Sequence, residues 1–381
     1  MYLKRVIISN FKNIGEVEVL FSPKINFITG VNGSGKTNLL DAVYYLSMTK
    51  SYFSNSDIYS VKHGESFFSV TGEYEGCGSA KEVESLDTIE SNSESDRCDR
   101  VTVNMAIEGD KVVKKNLKSY ARLSDHIGSI PIVMISPYDT ALINDSGEER
   151  RRFINSILSQ IDKEYLRKIQ GYNNLLAQRN RLLKSPDAAR NGDLLDLFAE
   201  RLSVNAAYIH KERRLFSEEL LPFVSKYYGM VSGAKEEIGI KYRSDIEHGE
   251  LSDLLKISRE RDLALRYTSA GIHRDDLLFT MGSYPIKSYG SQGQQKSFLV
   301  SLKLAQFEIM KGLSGKKPIL LLDDVFDKLD INRVESLLDM VSSDSFGQIF
   351  ITDSNKIRAE KILGKIGGDS SVYEMALGRM V

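Results

Sequence analysis

The sequence predicts an α/β fold: a mixed sheet with an antiparallel β subdomain, and a mainly helical second lobe inserted into its core. Three observations carry this expectation. Near the start, a glycine-rich loop stands between a strand-like run and a helix-like run. Near the end stands a short apolar run that finishes in two acids. Between them, from about residue 147 to 228, apolar residues recur at helical spacing.

In chain order, Leu3–Ile8 and Val17–Phe21 read as strands around a turn at Asn13-Ile14-Gly15. Val17, Val19 and Phe21 alternate with Glu18 and Leu20, which is mostly the half-buried period. Ile25-Asn26-Phe27-Ile28-Thr29 is rich in strand formers and ends at a glycine. Gly30-Val31-Asn32-Gly33-Ser34-Gly35-Lys36-Thr37 then fits G-x-x-x-x-G-K-[ST]. Leu39, Val43 and Leu46 follow at helical spacing, as in a helix packed by one face. The pattern has meaning only in such a strand–loop–helix context. Its glycines let backbone wrap a phosphate in conformations that a side chain forbids. Loop N–H groups and the helix start then face the anion. Lys36 suits the β/γ-phosphates and the Thr37 hydroxyl suits Mg²⁺, so ATP and Mg²⁺ are the expected cofactors.

Residues 66–76 and 101–114 contain further strand-like runs. Between them, Ser79–Arg100 carries seven acids, three bases and few large apolar residues, and reads as a solvated hairpin loop. In the helical stretch, Phe153, Ile157 and Ile161 recur every four residues; Leu166, Ile169 and Leu176, then Leu194, Leu197 and Leu202, continue the theme. Ser185-Pro186-Asp187 and Asn191-Gly192-Asp193 mark turns. Residues 238–286 return to short mixed elements. The expected organisation is 1–146 (phosphate loop, β subdomain), 147–237 (helical lobe with a basic face) and 238–381 (the rest of the nucleotide-binding core).

Ile319-Leu320-Leu321-Leu322-Asp323-Asp324 reads as a strand buried on both faces. The carboxyl end of such a strand is where a parallel α/β sheet places ligands. Asp323 suits the Mg²⁺ site, and Asp324 suits polarisation of an attacking water. Ser291-Gln292-Gly293-Gln294-Gln295 stands just before a helix in which Phe298, Leu302, Ala305 and Ile309 share a face. A serine and a glycine at a helix start offer an anion site, although S-x-G is also an ordinary N-cap. A second phosphate-facing helix start suggests a second triphosphate contact, such as one made to another subunit.

Composition narrows the classes. The chain has 381 residues, 41% of them hydrophobic, enough for a sizeable core and two lobes. The net charge of −1 gives no global pull toward nucleic acid. Residues 150–214, however, hold fourteen Lys/Arg against seven Asp/Glu. Arg150, Arg151, Arg152, Arg167, Lys168, Arg179, Arg181, Lys184, Lys211, Arg213 and Arg214 make a candidate DNA-backbone face. Solvated helix faces with internal pairs, such as Glu164–Lys168, are the alternative. Cys77 and Cys98 form no C-x-x-C pair, which opposes structural zinc and fits a cytoplasmic protein. No apolar run reaches membrane-spanning length and no leader is visible at the start, so no membrane partner is expected. His273, within Gly271-Ile272-His273-Arg274-Asp275-Asp276-Leu277, reads as part of a salt-bridged turn, since no ligand or triad spacing accompanies it.

The chain resembles the ABC-type ATPases of the SMC group, and within them a DNA recombination and repair ATPase. The residues that carry the likeness are Leu3–Met48 with Asn10-Phe11-Lys12-Asn13, Ser136-Pro137, Arg150–Phe153, Gly271–Leu277, Ser291–Gln295, Asp323–Asp324 and Leu329-Asp330. The resemblance implies an ABC-type ATPase head without coiled-coil arms. It implies an ATP-sandwiched homodimer with slow hydrolysis, binding to double-stranded DNA and to single-/double-strand junctions, and RecR- and RecO-type mediators as partners. By position, Gly30 to Thr37 would hold the phosphates, Lys36 and Asp324 would serve catalysis, and Thr37 and Asp323 would serve the metal. Ser291, Gly293 and Gln294 would touch the partner subunit's nucleotide, and Lys12 and Asn13 would lie near the chain's own. Two departures stand out: Phe53 occupies the place of an arginine, and Thr352 or Asp353 that of a switch histidine. The competing readings are an ABC-type subunit of another assembly and a P-loop kinase of a small metabolite.

Overall fold

The structure is a computed structural model that describes residues 1–76, 98–233, 236–326, 331–355 and 369–381. Most of the expected acidic loop, and the Leu329-Asp330 pair, lie outside the described residues. The chain divides into two compact units, one of Met1–Pro137 with Met310–Val381, the other of Tyr138–Ile309.

The first unit begins with β1 (Tyr2–Phe11) and β2 (Ile14–Leu20), so the turn falls at Lys12-Asn13, a residue earlier than expected. Next come β3 (Ile25–Thr29), α1 (Lys36–Met48), β4 (Phe67–Glu75), β5 (Asp99–Ala106), β6 (Val112–Lys115), β7 (Lys118–Ser119), α2 (Leu123–His126) and β8 (Ile132–Ile135). An antiparallel sheet runs in the order β2-β1-β4-β5-β6-β7.

The second unit holds α3 (Ala141–Asn144), α4 (Gly147–Ile161), α5 (Lys163–Leu183), α6 (Gly192–Ser232), β9 (Ile238–Arg243), α7 (Leu251–Ile257), α8 (Arg259–Leu265), β10 (Asp276–Met281), β11 (Tyr284–Pro285), α9 (Ile286–Tyr289) and most of α10 (Gln292–Ser314). Asp162 caps α5 by accepting from the Glu164 N–H, and Gly233 (φ 81) ends α6. The buried stripe of α6 is Leu195, Ala199, Leu202, Ala206 and Ile209. Leu194 and Leu197, expected on that stripe, are 40% and 42% exposed, because the 3.6-residue period turns them away from α5. This unit is wider than the 147–237 lobe read from sequence. β10 packs on α4 and β9 on α6, so both strands join the helices.

The chain then returns to the first unit with β12 (Ile319–Leu322), α11 (Ile331–Val341), β13 (Ile349–Asp353), β14 (Ser370–Ala376) and β15 (Arg379–Met380). The second sheet has the order β15-β14-β3-β13-β12-β8, parallel throughout except for the β14–β15 hairpin. Helix α1 is buried on nearly every side, not on one face as its spacing suggested. Its Leu39, Leu40, Val43 and Leu46 join one core with Val6 and Phe68 of the first sheet and Ile28, Leu321 and Phe350 of the second. Each such side chain contributes roughly 1.5–3 kcal/mol on burial. The phosphate-loop helix is thereby held rigidly between two sheets.

Candidate nucleotide site

The loop between β3 and α1 is shaped by its glycines. Gly30 has φ 147, and a Cβ there would stand 2.2 Å from the Met375 carbonyl oxygen of β14. Gly35, at φ 111, caps α1 without a side chain. Lys36 is 4% exposed, and its Nζ donates to the Gly30 and Val31 carbonyls at 2.7 and 3.2 Å. The ammonium therefore sits over the cradle. The Ser34 hydroxyl is buried with no hydrogen-bond partner among the described residues. A cradle of this kind fits an oxyanion.

The loop is braced from two sides. Asn13 donates through Nδ2 to the Gly33 carbonyl (3.3 Å), and its Oδ1 accepts from Asn38 Nδ2 (2.8 Å). The Gly378 N–H, in the β14–β15 turn, donates to the Ser34 carbonyl at 2.8 Å. Lys12 is turned away from the loop. Its Nζ pairs with fully buried Asp41 of α1 at 2.6 Å and lies 5.3 Å from the centre of the Phe53 ring. Phe53, in place of an arginine, gives this lysine an aromatic face.

The acidic strand end meets the loop directly. β12 lies between β8 and β13, and its residues are wholly buried. Asp323 follows it, 2% exposed, and its Oδ1 accepts from Thr37 Oγ1 and from Thr352 Oγ1, both at 2.9 Å. Burial pushes the Asp323 carboxyl up to about 6, against the hydrogen bonds from Thr352 and Thr37 and the charge of Lys36. A hydroxyl and a carboxylate oxygen in contact form a hard-oxygen set that fits Mg²⁺. Asp324 is half-buried at φ 44, and its N–H donates to Thr352 Oγ1 at 2.9 Å. Nothing in the sequence marked Thr352 as functional beyond its place where a histidine was expected.

Lys36, Thr37, Asp323 and Asp324 thus come together from positions nearly 300 residues apart in the first unit. Ser291, Gly293 and Gln294 belong to the second unit. There Ser291 and Gln294 form a reciprocal cap at the start of α10. The Ser291 N–H donates to Gln294 Oε1 (2.8 Å), and the Gln294 N–H donates to Ser291 Oγ (3.3 Å).

Several cations expected on a DNA face are internal to the second unit. Arg150 makes a forked pair with Asp276 (2.6 and 3.1 Å), and Arg151 donates to the Asp275 carbonyl (2.7 Å). Arg179 and Arg213, each 1% exposed, pair with Asp262 (2.8 Å) and Asp275 (2.6 Å). His273 sits in the same hub. Its Nε2 faces the Thr268 carbonyl (3.0 Å), which can only accept, so Nδ1 accepts from the Tyr172 hydroxyl (2.8 Å). Burial lowers its pKa. Both nitrogens are in use, as a positioning role requires. Arg167, Arg181, Lys184, Lys211 and Arg214 remain exposed.

A glycine-rich loop at the end of a central parallel strand, an acidic strand end against it and a flanking antiparallel sheet define an ABC-type P-loop ATPase head. The chain belongs to the RecF/RecN/SMC N-terminal domain family, whose model matches residues 2–366. Its relatives include the DNA replication and repair protein RecF of Bacteroides thetaiotaomicron, 42% identical over 378 residues (99% of this chain, 98% of the relative). RecF of Flavobacterium johnsoniae is 42% identical over 365 residues (95% and 97%). Among solved structures, the recombination mediator protein RecF-ATP of the RecFOR pathway superposes with TM-score 0.85 at 30% identity, covering 100% of this chain and 97% of its own. An Smc head domain from Pyrococcus furiosus, at TM-score 0.54 and 16% identity over 100% of this chain and 95% of its own, shares the fold.

Proposed function

We propose that this chain is an ATP-dependent DNA-binding protein of replication and repair, cytoplasmic, acting as an ATP-sandwiched dimer at single-strand gaps to help recombinase loading. The observation that carries the reading is the 2.9 Å contact between Thr37 and Asp323, which joins phosphate loop and acidic strand end. In this reading Gly30 to Thr37 cradle the phosphates and Lys36 neutralises charge on the β/γ-phosphates. Thr37 and Asp323 would hold Mg²⁺, which when bound would supply electrostatic stabilisation to the transferring phosphoryl group. Asp324 orients the attacking water, and Ser291, Gly293 and Gln294 close on the partner's nucleotide. Hydrolysis is slow and stimulated by DNA, with RecR- and RecO-type mediators as partners.

The relatives named for DNA repair, matched over nearly the whole chain, count against the metabolite-kinase and other-assembly readings. The test measures mass in solution and ATP turnover with and without gapped duplex DNA. ATP-dependent dimers with DNA-stimulated turnover are expected; a monomer indifferent to both ligands sinks the reading. Ser291→Arg should bind ATP as a monomer and fail to dimerise.

A further inference from the structure

We infer that Thr352 is a positioning residue that ties the metal-binding acid to the catalytic acid, in place of a nucleotide-facing side chain at the end of β13. The inference rests on the ATPase reading above. Thr352 is fully buried. Its hydroxyl has one hydrogen, donated to Asp323 Oδ1, and it accepts the Asp324 N–H; both distances are 2.9 Å. One atom therefore orients the carboxylate of Asp323 and the backbone of Asp324.

The second hydrogen bond matters because Asp324 stands at φ 44, in the left-handed region that a residue with a side chain seldom occupies. The neighbouring Asp323 N–H is held by the Ile135 carbonyl at 2.8 Å, which fixes the strand up to that point. The next peptide is where the chain leaves β12, and Thr352 is what receives its N–H. A threonine at the end of the adjacent parallel strand can do this, since β13 runs beside β12 with Leu322 opposite Ile351. An imidazole could not donate and accept through a single atom. The departure from a histidine is thus a different use of the position: Thr352 sets the direction of Asp324 without touching substrate.

The experiment compares Thr352→Val, which keeps the shape and removes the hydroxyl, with Thr352→Ser, which keeps the hydroxyl. ATP affinity and single-turnover hydrolysis are measured for both, with thermal unfolding as a check on fold. In Thr352→Val hydrolysis should fall about tenfold or more with ATP affinity within about threefold of the parent, the pattern expected when only transition-state stabilisation is removed. Thr352→Ser should recover most of the rate. An unchanged rate in Thr352→Val, equal losses in both variants, or a loss confined to ATP affinity each overturns the inference. Absence of hydrolysis in the parent protein would instead sink the ATPase reading.

Discussion

Gly30 shows at the scale of one residue how the phosphate loop depends on a distant strand. Its φ of 147 already disfavours a side chain, and an added Cβ would meet the Met375 carbonyl, a backbone atom that moves only if β14 moves. Gly33, at φ 81, has nothing within 4 Å of the same position. Gly33→Ala therefore carries backbone strain alone, on the order of 1–3 kcal/mol, whereas Gly30→Ala adds a clash. ATP titration should find Gly30→Ala the weaker binder by about tenfold or more; equal affinities would mean the hairpin does not shape the loop. The loop and the acidic pair were legible in the sequence because their chemistry needs fixed types at fixed spacing. Met375 and Gly378 were not, and Thr352 was legible only as the residue standing where a histidine was expected. They meet the site only through the strand order β14-β3-β13-β12, which no local pattern encodes.

At the scale of elements, the run Gly271–Leu277 joins the helical lobe to its strands. Arg213 of α6 reaches Asp275 just before β10, within a network that includes Tyr165 of α5, Asn155 of α4 and Tyr242 of β9. Helical periodicity revealed α4 to α6 but counted their arginines as surface charge. A buried and an exposed arginine look alike until an acid far along the chain is placed beside one of them. Arg213→Met leaves Asp275 buried without its cationic partner, with the Tyr242 hydroxyl still donating to it, and should cost about 3–5 kcal/mol, read as a lower denaturant midpoint. Adding Asp275→Asn should recover part of that stability; no recovery would show that packing, not charge, is what Arg213 supplies. His273 adds a pH dependence. Burial depresses its folded-state pKa, and that of His210, below the unfolded value of about 6.5. The neutral rings' contribution is thus complete above about pH 6.5 and is lost as pH falls through the folded-state values. The melting temperature should decline on acidification below that point, and His273→Gln should flatten the decline. An equally steep decline in the variant would place its origin elsewhere.

For the whole molecule, a net charge of −1 means that any affinity for DNA must come from a local set of cations. The sequence offered eleven candidates in one region, and the fold removes four, since Arg150, Arg151, Arg179 and Arg213 are held by acids or a carbonyl of their own unit. Of the rest, Arg152, Arg167, Lys168 and Arg214 pair with glutamates one turn away. Exposed pairs of this kind are worth about 0–1 kcal/mol, so such cations are available to a phosphate. Arg181 and Lys184, exposed one turn apart at the end of α5, are the plainest candidates for phosphate contact in the region. Counterion release then separates the two groups of cations. Removing one phosphate-bound cation should reduce the slope of log affinity against log salt by about one. Arg181→Ala with Lys184→Ala should lower the slope by about two and weaken binding uniformly across sequences, with the unfolding midpoint unchanged. Arg179→Met should do the reverse, lowering the midpoint because Asp262 is left buried and leaving the slope as it was. Binding isotherms for duplex DNA at several salt concentrations decide the matter. A slope that the double variant does not change would move the DNA surface away from α5, whatever the charge count of the region.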